Sequence, residues 1–197
     1  MEAGPAEGIA VVGRLIFLLE DQTMQVLLDK LLPRLFPNWR QGEHFLCIRH
    51  EGKSDLESSI PRKLRARQEP DAKFIVLRDN DSADCTVIKT RLKRLCTDAG
   101  RADTLIRIAC QEVEAWYLGD LQAMSAAFGG NLNTQPNRKR YSDPDKLAKP
   151  SAEVKRLSPG FQKTAGARLM AAHLSEAGNL SKSFQYFISG LRRLAQN

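Results

Sequence analysis

Acidic residues follow two strongly apolar segments of this sequence. One apolar run ends at Glu20, and a second ends at Asp79 and Asp81, which are separated by a single asparagine. Carboxylates at close quarters repel one another unless a cation binds between them, and hard oxygen ligands select Mg²⁺ or Mn²⁺. A single acid in such a position would more often cap the next helix. Two acidic strand ends in this order instead predict a metal site formed by Glu20, Asp79 and Asp81.

A parallel sheet is the arrangement that would bring these acids together. Apolar segments with strand character alternate with segments of helical periodicity, which is typical of a parallel sheet with helices on both faces. The strand segments are residues 15–19, 45–49, 73–77 and 105–110. In the strand order 2-1-3-4 the first and third strands are neighbours, so their acidic ends meet at the carboxyl edge of the sheet. We therefore predict an α/β fold with this strand order.

The chain divides by composition into three parts. Residues 1–13 are small and aperiodic and are expected to form a flexible tail, whereas residues 14–130 carry the strand and helix alternation. Residues 131–197 begin with a polar, proline-punctuated stretch and then show helical periodicity over 163–174 and 184–194. The last of these helices has an apolar stripe, which the protein's own core or a partner chain must cover. We expect a helical extension that packs on the core.

The sequence resembles a known family at three motifs. These are residues 50–57 (HEGKSDLE), residues 78–81 (RDND) and residues 111–120 (QEVEAWYLGD). With them, the chain looks like a member of a bacterial family catalogued as domain of unknown function 4276. The Glu20 strand end followed by the Asp-Asn-Asp strand end is similar to the Toprim signature of topoisomerases, primases and overcoming-lysogenization-defect nucleases. The resemblance implies a Toprim-like fold, a bacterial anti-phage defence context and, in some members, a partner ATPase.

Three further residues are candidates for the same site. Glu112 and Glu114 precede or begin a helix expected over 113–124, and at a spacing of two they cannot share one helix face. Glu112 is nearer to the strand end and is the candidate ligand for a second metal ion, while Glu114 is the candidate for a hydrogen bond within the core. Lys53 follows the second strand and would neutralise a phosphate or the transition state, unless it is simply solvated.

The charge balance favours a partner that carries phosphate. The chain has 30 Lys and Arg residues against 23 Asp and Glu residues, a net charge of +7, although a solvated basic surface would give the same balance. The candidate nucleic-acid contacts lie on the helices after the second and third strands: Arg62, Arg65, Lys89 and Lys93. Arg78 is a further candidate, and an internal salt bridge is its alternative. Few aromatic residues lie outside core patterns, which favours binding through the phosphate backbone.

The three acids together with Lys53 predict the hydrolysis of a phosphodiester bond. A bound Mg²⁺ or Mn²⁺ ion polarises the phosphate and lowers the pKa of water, and the resemblance to topoisomerases and primases implies an alternative role of Glu20 as general acid or base. We therefore predict a Mg-dependent nuclease that acts on DNA or RNA. Two alternatives stay open. One is a non-cleaving Toprim-like module that binds nucleic acid or an ATPase, and the other is a metal-dependent phosphatase with a small substrate.

Other motifs in the same segment fail at single positions. An EF-hand loop that began at Asp79 would need glutamate at its twelfth position, where this sequence has Thr90. A phosphatase with an aspartate nucleophile in the DxDx(T/V) motif would need a hydroxyl or branched residue in place of Ala83. The sequence has no Walker A loop and no GxSxG motif, which disfavours ATP binding through a P-loop and a serine nucleophile.

Cysteine usage and hydropathy favour a cytoplasmic protein. The four cysteines lie far apart without a CxxC pair, so we expect structural thiols rather than zinc ligands or disulfides. No apolar run approaches the roughly 18 residues of a membrane span, and residues 1–10 lack the pattern of a signal peptide. A homodimer is left open.

Overall fold

The computed structural model describes residues 13–69 and 71–196, so the tail expected over residues 1–13 lies almost entirely outside the described residues. The strands are β1 (Leu15–Leu19), β2 (Phe45–Arg49), β3 (Lys73–Asp79) and β4 (Leu105–Ala109). The helices are α1 (Gln22–Leu35), α2 (Lys53–Ala66), α3 (Cys85–Asp98), α4 (Glu114–Leu118), α5 (Leu121–Phe128), α6 (Gln135–Arg140), α7 (Pro150–Leu157), α8 (Lys163–Ala171) and α9 (Lys182–Gln196). Among the described residues, none of these helices has the length and apolar character needed to cross a membrane.

The strands form one parallel sheet in the order β2-β1-β3-β4, which confirms the predicted strand order and the α/β class. Strand β1 lies between β2 and β3, and Leu19 at its end is in register with Leu77. All five residues of β1 are buried, because helices cover both faces of the sheet. The carboxyl ends of β1 and β3 are therefore neighbours, and Glu20 and Asp79 lie at the same edge.

Two groups of helices cover the sheet. On one face, α2 and α3 share an apolar cluster with β3, which includes Leu56, Val76 and Leu92. On the other face, α1, α4, α5, α8 and α9 belong to a larger apolar cluster, which includes Phe17 and Leu77. Side chains alternate between the faces along a strand, so successive residues of β3 enter different clusters. This alternation determines where the polar residues at the end of β3 lie.

The last helix, α9, packs on the larger face of the sheet. The ring of Phe187 lies 6.4 Å from the ring of Phe17 in β1 and stacks on Trp116 of α4 at 5.2 Å. The indole N–H of Trp116 donates to Ser183 Oγ at 2.9 Å, so its polar atom is satisfied. Burial of a Phe side chain contributes roughly 1.5–3 kcal/mol. The aromatic contacts therefore join the C-terminal helix to the strand that precedes Glu20.

The helical regions differ from the sequence prediction at two places. The single helix expected over 113–124 is divided into α4 and α5, because the side chain of Asp120 accepts from the Ala123 N–H at 2.9 Å and caps a new helix. The Gly119 carbonyl accepts from the Leu180 N–H at 2.9 Å, so a distant loop occupies this acceptor. The polar stretch 131–159 contains α6 and α7, and both have proline in the first turn, where a missing N–H is tolerated.

Candidate active site

Glu20 is held at the sheet edge by hydrogen bonds from both sides. Its backbone N–H donates to the Leu77 carbonyl at 3.2 Å, and its carbonyl accepts from the Gly52 N–H at 2.9 Å. Its side-chain Oε2 accepts from the Asp79 N–H at 3.0 Å, which joins the ends of β1 and β3 directly. Burial raises the pKa of Glu20, although the Asp79 N–H and Arg78 oppose this rise. The structure thus brings the first two predicted site residues together.

Asp79 has a buried carboxyl oxygen without a hydrogen bond from any described residue. Its Oδ1 is buried and accepts no hydrogen bond within the described residues. Burial raises the pKa of Asp79 well above its usual value, and the negative charges of Glu20 and Glu114 raise it further. An unpaired buried oxygen of this kind needs a proton or a cation.

The loop after β3 has a strained backbone. Asp81 and Ser82 have φ angles of 46° and 67°, and Gln111 in the neighbouring loop has a φ angle of 61°. The two loops are hydrogen-bonded, since the Asp81 N–H donates to the Gln111 carbonyl at 3.2 Å and Ser82 Oγ donates to Gln111 Oε1 at 3.1 Å. Asn80 adds a further contact by accepting from the Gln111 N–H. Left-handed conformations of non-glycine residues are costly and tend to occur at functional sites.

Asp84 caps α3, which assigns the capping role to a residue other than Asp79 or Asp81. Its Oδ1 accepts from the Thr86 N–H at 2.7 Å and from the Val87 N–H at 3.0 Å. Asp81 instead pairs with Lys53, the first residue of α2, whose Nζ lies 3.3 Å from Asp81 Oδ2. Both side chains of this pair are exposed. The predicted candidates Lys53 and Asp81 are therefore neighbours at the open side of the acid cluster.

Arg78 is an internal residue. Strand alternation directs its side chain to the face covered by α2 and α3, where only 2% of it is exposed. Its Nη1 donates to Glu57 at 2.5 Å, and its Nε donates to the Asp79 carbonyl at 2.9 Å and lies 3.8 Å from Glu20 Oε2. The structure shows the internal salt bridge, which was the alternative for this residue. We therefore assign Arg78 to the positioning of Glu20 and remove it from the candidate nucleic-acid contacts.

Glu112 and Glu114 have different environments from those expected. Glu112 accepts from the Ser151 N–H at 2.7 Å, from Ser151 Oγ at 2.8 Å and from Lys163 Nζ at 3.2 Å. Burial would raise the pKa of Glu112, but the bonds from Ser151 and the charge of Lys163 outweigh it, and the pKa is lowered. Glu112, the candidate ligand for a second metal ion, is thus bound to the helical extension.

Glu114 is the glutamate that faces Asp79. It is fully buried, and neither of its carboxyl oxygens accepts a hydrogen bond from a described side chain. Lys163 Nζ lies 3.7 Å from Oε1, yet burial raises the pKa of Glu114 to about 7. The Tyr117 hydroxyl, one helical turn further along, is also buried and has no partner among the described residues. Sequence reasoning did not include Tyr117, although a spacing of three on a helix places it on the same face as Glu114.

The acid cluster is defined here as Glu20, Asp79, Asp81 and Glu114. Carboxylate oxygens are the donors that Mg²⁺ and Mn²⁺ prefer, and the unpaired Asp79 Oδ1 provides a free lone pair. Across residues 13–69 and 71–196, however, no three Asp, Glu, His or Cys side chains already surround a common point as metal ligands. The chemistry of the donors fits a divalent cation, and the predicted metal site stays a prediction.

The four remaining basic candidates are exposed but lie in different places. Arg62 and Arg65 are more than two turns along α2 from Lys53, about 14–18 Å at the rise of an α-helix. The Arg65 guanidinium donates to the Asp98 carbonyl at 3.0 Å, at the end of α3 that is far from the acid cluster. Lys89 lies in the second turn of α3, Lys93 lies one turn further along, and both line a shallow recess with Cys85. The structure therefore separates these residues into two groups.

Fold and site define an α/β protein with two acids, Asp79 and Glu114, whose buried oxygens accept no hydrogen bond within the described residues, at the carboxyl edge of a parallel sheet. The chain belongs to the family described as domain of unknown function DUF4276, whose sequence profile matches residues 19–192. No curated protein and no solved structure matches the chain. The family match covers every residue of the acid cluster and the helical extension as far as residue 192.

Proposed function

We propose that this protein is a Mg-dependent nuclease of the Toprim type, which hydrolyses phosphodiester bonds at the acid cluster. The observation that carries the proposal is Asp79, a buried carboxyl group with an unpaired oxygen beside Glu20. Buried acids that serve stability are normally hydrogen-bonded or paired. An unpaired acid next to two other acids is typical of a site that binds a cation as cofactor or together with the substrate.

Three carboxyl groups are the proposed metal ligands. Glu20, Asp79 and Asp81 would hold Mg²⁺ or Mn²⁺, which polarises a phosphodiester and makes a bound water more acidic. The order of the strand ends, glutamate on β1 and Asp-x-Asp on β3, supports the Toprim relationship. Because β1 and β3 are adjacent, these acids belong to one edge of the sheet.

Two lysines flank the acid cluster and have different proposed roles. Lys53 lies at the exposed side, where it pairs with Asp81. A phosphate that approached there would replace Asp81 as the anionic partner of the Lys53 ammonium group. Lys163 lies at the other side, within 3.2 Å of Glu112 and 3.7 Å of Glu114. Burial lowers the pKa of Lys163, but the charges of Glu114 and Glu112 outweigh it, so the ammonium form is favoured. We assign Lys53 to the substrate and Lys163 to the positioning of Glu114.

The nuclease proposal is tested by Mg-dependent degradation of labelled single-stranded and double-stranded DNA and RNA. We expect Asp79→Asn and Asp81→Asn to lower the rate at least about a hundredfold, since metal ligation supplies several kcal/mol of transition-state stabilisation. Asp98→Asn is the matched control, because Asp98 is an acid at the end of α3 far from the acid cluster, where its Oδ2 lies 3.7 Å from Arg94 Nε. Hydrolysis of a small phosphate ester without hydrolysis of any polymer would contradict the nuclease and indicate a phosphatase.

A non-cleaving module is the second candidate, and one observation favours it. The raised pKa values of Asp79 and Glu114 mean that protons can neutralise these two acids without a metal ion. In that case the protein binds nucleic acid or a partner such as an ATPase without chemistry at the edge. Nucleic-acid binding that is identical in the wild type and Asp79→Asn, with no cleavage by either, would favour this candidate.

A further inference from the structure

A groove lies along the outer edge of β4, between α3 and α9. Its volume is about 750 Å³, and it is lined by Ile106, Arg107 and Ile108 of β4, by Cys110 just after this strand, and by residues of α3, of α9 and of the turn at Pro144–Lys146. Cys110 precedes Gln111, which is hydrogen-bonded to Ser82 in the Asp81 loop. One end of the groove therefore adjoins the loops of the acid cluster.

The groove is strongly basic. Lys89 contributes from α3, Arg107 from β4, and Lys182 and Arg193 from α9. Among the ion pairs of residues 13–69 and 71–196, none uses any of these four side chains. Burial is the main cause that lowers the pKa of Arg107, and the nearby positive charge of Arg193 lowers it further. Cations gathered without acidic partners favour an anionic ligand.

The acids that line the groove are already occupied. Asp145 accepts from the Ser183 N–H and from the Ser181 hydroxyl, both at 2.7 Å. Asp143 pairs with Lys146 at 2.9 Å. The lining of the groove has five Lys and Arg side chains against these two carboxylates, so its net charge is positive.

An exposed aromatic ring completes the surface. Tyr186 of α9 lines the groove, and 66% of it is exposed to solvent, which is unusual for a large side chain. Aromatic rings beside basic side chains are the elements with which proteins bind single-stranded nucleic acids, through base stacking and phosphate contacts. The groove is too small to enclose a duplex.

The edge of β4 is unfavourable for an added peptide strand. Ala109 accepts from the Asn80 N–H, so the backbone groups of Ile106, Ile108 and Cys110 point away from β3. Arg107 donates to the Ile106 carbonyl at 2.9 Å, and the Cys110 N–H donates to Ser183 Oγ at 3.4 Å. Side chains of the protein thus occupy part of the edge that a fifth strand would need.

We propose that this groove binds one strand of nucleic acid through its phosphates, with a base stacked on Tyr186, and directs it to the acid cluster. The inference rests on the proposed function, because it identifies single-stranded nucleic acid as the substrate of the acid cluster. Lys89, Arg107, Lys182 and Arg193 contact the phosphates. Arg62 and Arg65, on the far part of α2, are outside this path.

The test is the fluorescence anisotropy of labelled 15-mers of oligo-dT and oligo-U with the full chain in EDTA, so that binding is measured without cleavage. Lys89→Ala/Lys182→Ala/Arg193→Ala should weaken binding at least about tenfold and reduce the log–log salt slope by about two, since each phosphate contact on a single strand contributes about 0.7. Arg62→Ala/Arg65→Ala/Arg94→Ala removes the same charge elsewhere and should leave affinity within about twofold. Arg107 is kept, because it donates to the Tyr186 carbonyl and packs against Gly190.

Tyr186 supplies the second arm of the test. Tyr186→Ala should weaken single-strand binding about tenfold by loss of stacking, whereas Tyr186→Phe should not. Equal weakening by the two triple variants, duplex binding as tight as single-strand binding, or no oligonucleotide binding would overturn the inference. Binding of a labelled oligo-Glu peptide alone, lost in the groove variant, would assign the groove to an acidic protein segment. Groove binding without Mg-dependent cleavage would contradict the proposed function and leave this inference standing.

Discussion

Two groups of acids in this protein have opposite electrostatic environments. In the helical extension, Glu153 accepts from Arg140 at 2.8 and 3.0 Å, from the Tyr141 hydroxyl at 2.8 Å and from Arg156 at 3.1 Å. The hydrogen bonds from Arg140 are the largest cause that lowers the pKa of Glu153 to about 2. These donors stabilise the charge of the Glu153 carboxylate, which in turn stabilises the folded extension.

At the sheet edge the buried acids lack the hydrogen-bond donors that would stabilise their charges. Asp79 and Glu114 are buried with three carboxyl oxygens that accept no hydrogen bond within the described residues, and burial raises the pKa of both residues. The same chain therefore gives Glu153 four hydrogen bonds and gives these three oxygens none from any described residue, with Lys163 Nζ 3.7 Å from Glu114 as the nearest cation to that residue. Stability explains Glu153. It does not explain Asp79 and Glu114, which is why we assign them to function.

The largest expected effect is an opposite change in stability on amide substitution in the two regions. At pH 8, Glu153→Gln should lower the free energy of unfolding by about 1–3 kcal/mol, because charge-assisted hydrogen bonds are lost. Glu114→Gln should raise it by about 1–3 kcal/mol, because a buried charge with little compensation is removed. Urea denaturation of both variants and the wild type measures the two changes. Equal destabilisation by both substitutions would show that Glu114 is a structural acid like Glu153.

The pH dependence of stability should separate the regions next. The folded-state pKa of Glu114 is about 7, above its ordinary value of 4.5, so the folded state holds an additional proton between these values. Stability from this group is present at low pH and falls as the pH rises from about 4.5 to 7, by up to about 3 kcal/mol. Glu153 has a lowered pKa, so its contribution is present above 4.5 and is lost as the pH falls towards 2.

Chemical denaturation from pH 3 to pH 9 tests both signs. Glu114→Gln should remove the decline between about pH 4.5 and pH 7, and Glu153→Gln should remove part of the loss at acid pH. A wild-type stability that rises steadily from pH 5 to pH 8, with Glu114→Gln parallel to it, would refute the raised pKa of Glu114.

The sheet and the first half of the site were predictable from the sequence, because both depend on local pattern. Continuous apolar runs identified the buried strands, and acids at two strand ends can meet only if those strands are neighbours. The alternation within β3 also contained an unused signal. Residues 76 and 78 share one face of the strand and residues 77 and 79 share the other, so Arg78 enters the cluster under α2 and α3, while Asp79 faces α4.

The choice between Glu112 and Glu114 was not predictable in the same way. It depends on Ser151 and Lys163, which lie 39 and 51 residues after Glu112 in the sequence and reach it only through the fold of the extension. It also depends on Gln111, whose left-handed conformation redirects the chain just before α4. No local periodicity encodes either contact. Proximity to the strand end favours Glu112 as the ligand for a second metal ion, whereas Glu114 is the glutamate that faces Asp79.

The smallest expected effect concerns the backbone that holds the acids. Ser82 has a φ angle of 67°, so Ser82→Gly should be more stable than Ser82→Ala by about 0.5–1 kcal/mol, although both lose the hydrogen bond to Gln111. The matched pair isolates the left-handed conformation from the lost hydroxyl. Equal stability of the two variants in urea denaturation would mean that the loop relaxes without strain.

The most direct test of the account is calorimetric titration of the protein with Mn²⁺ at pH 8, where the acids of the edge are most readily ionised. We expect the wild type and Glu153→Gln to bind the ion alike, and Asp79→Asn to bind it at least about tenfold more weakly, because only Asp79 contributes an unpaired buried oxygen to the proposed ligand set. Equal binding by Asp79→Asn and the wild type, or no binding by the wild type, would contradict the assignment of the acid cluster to a divalent cation.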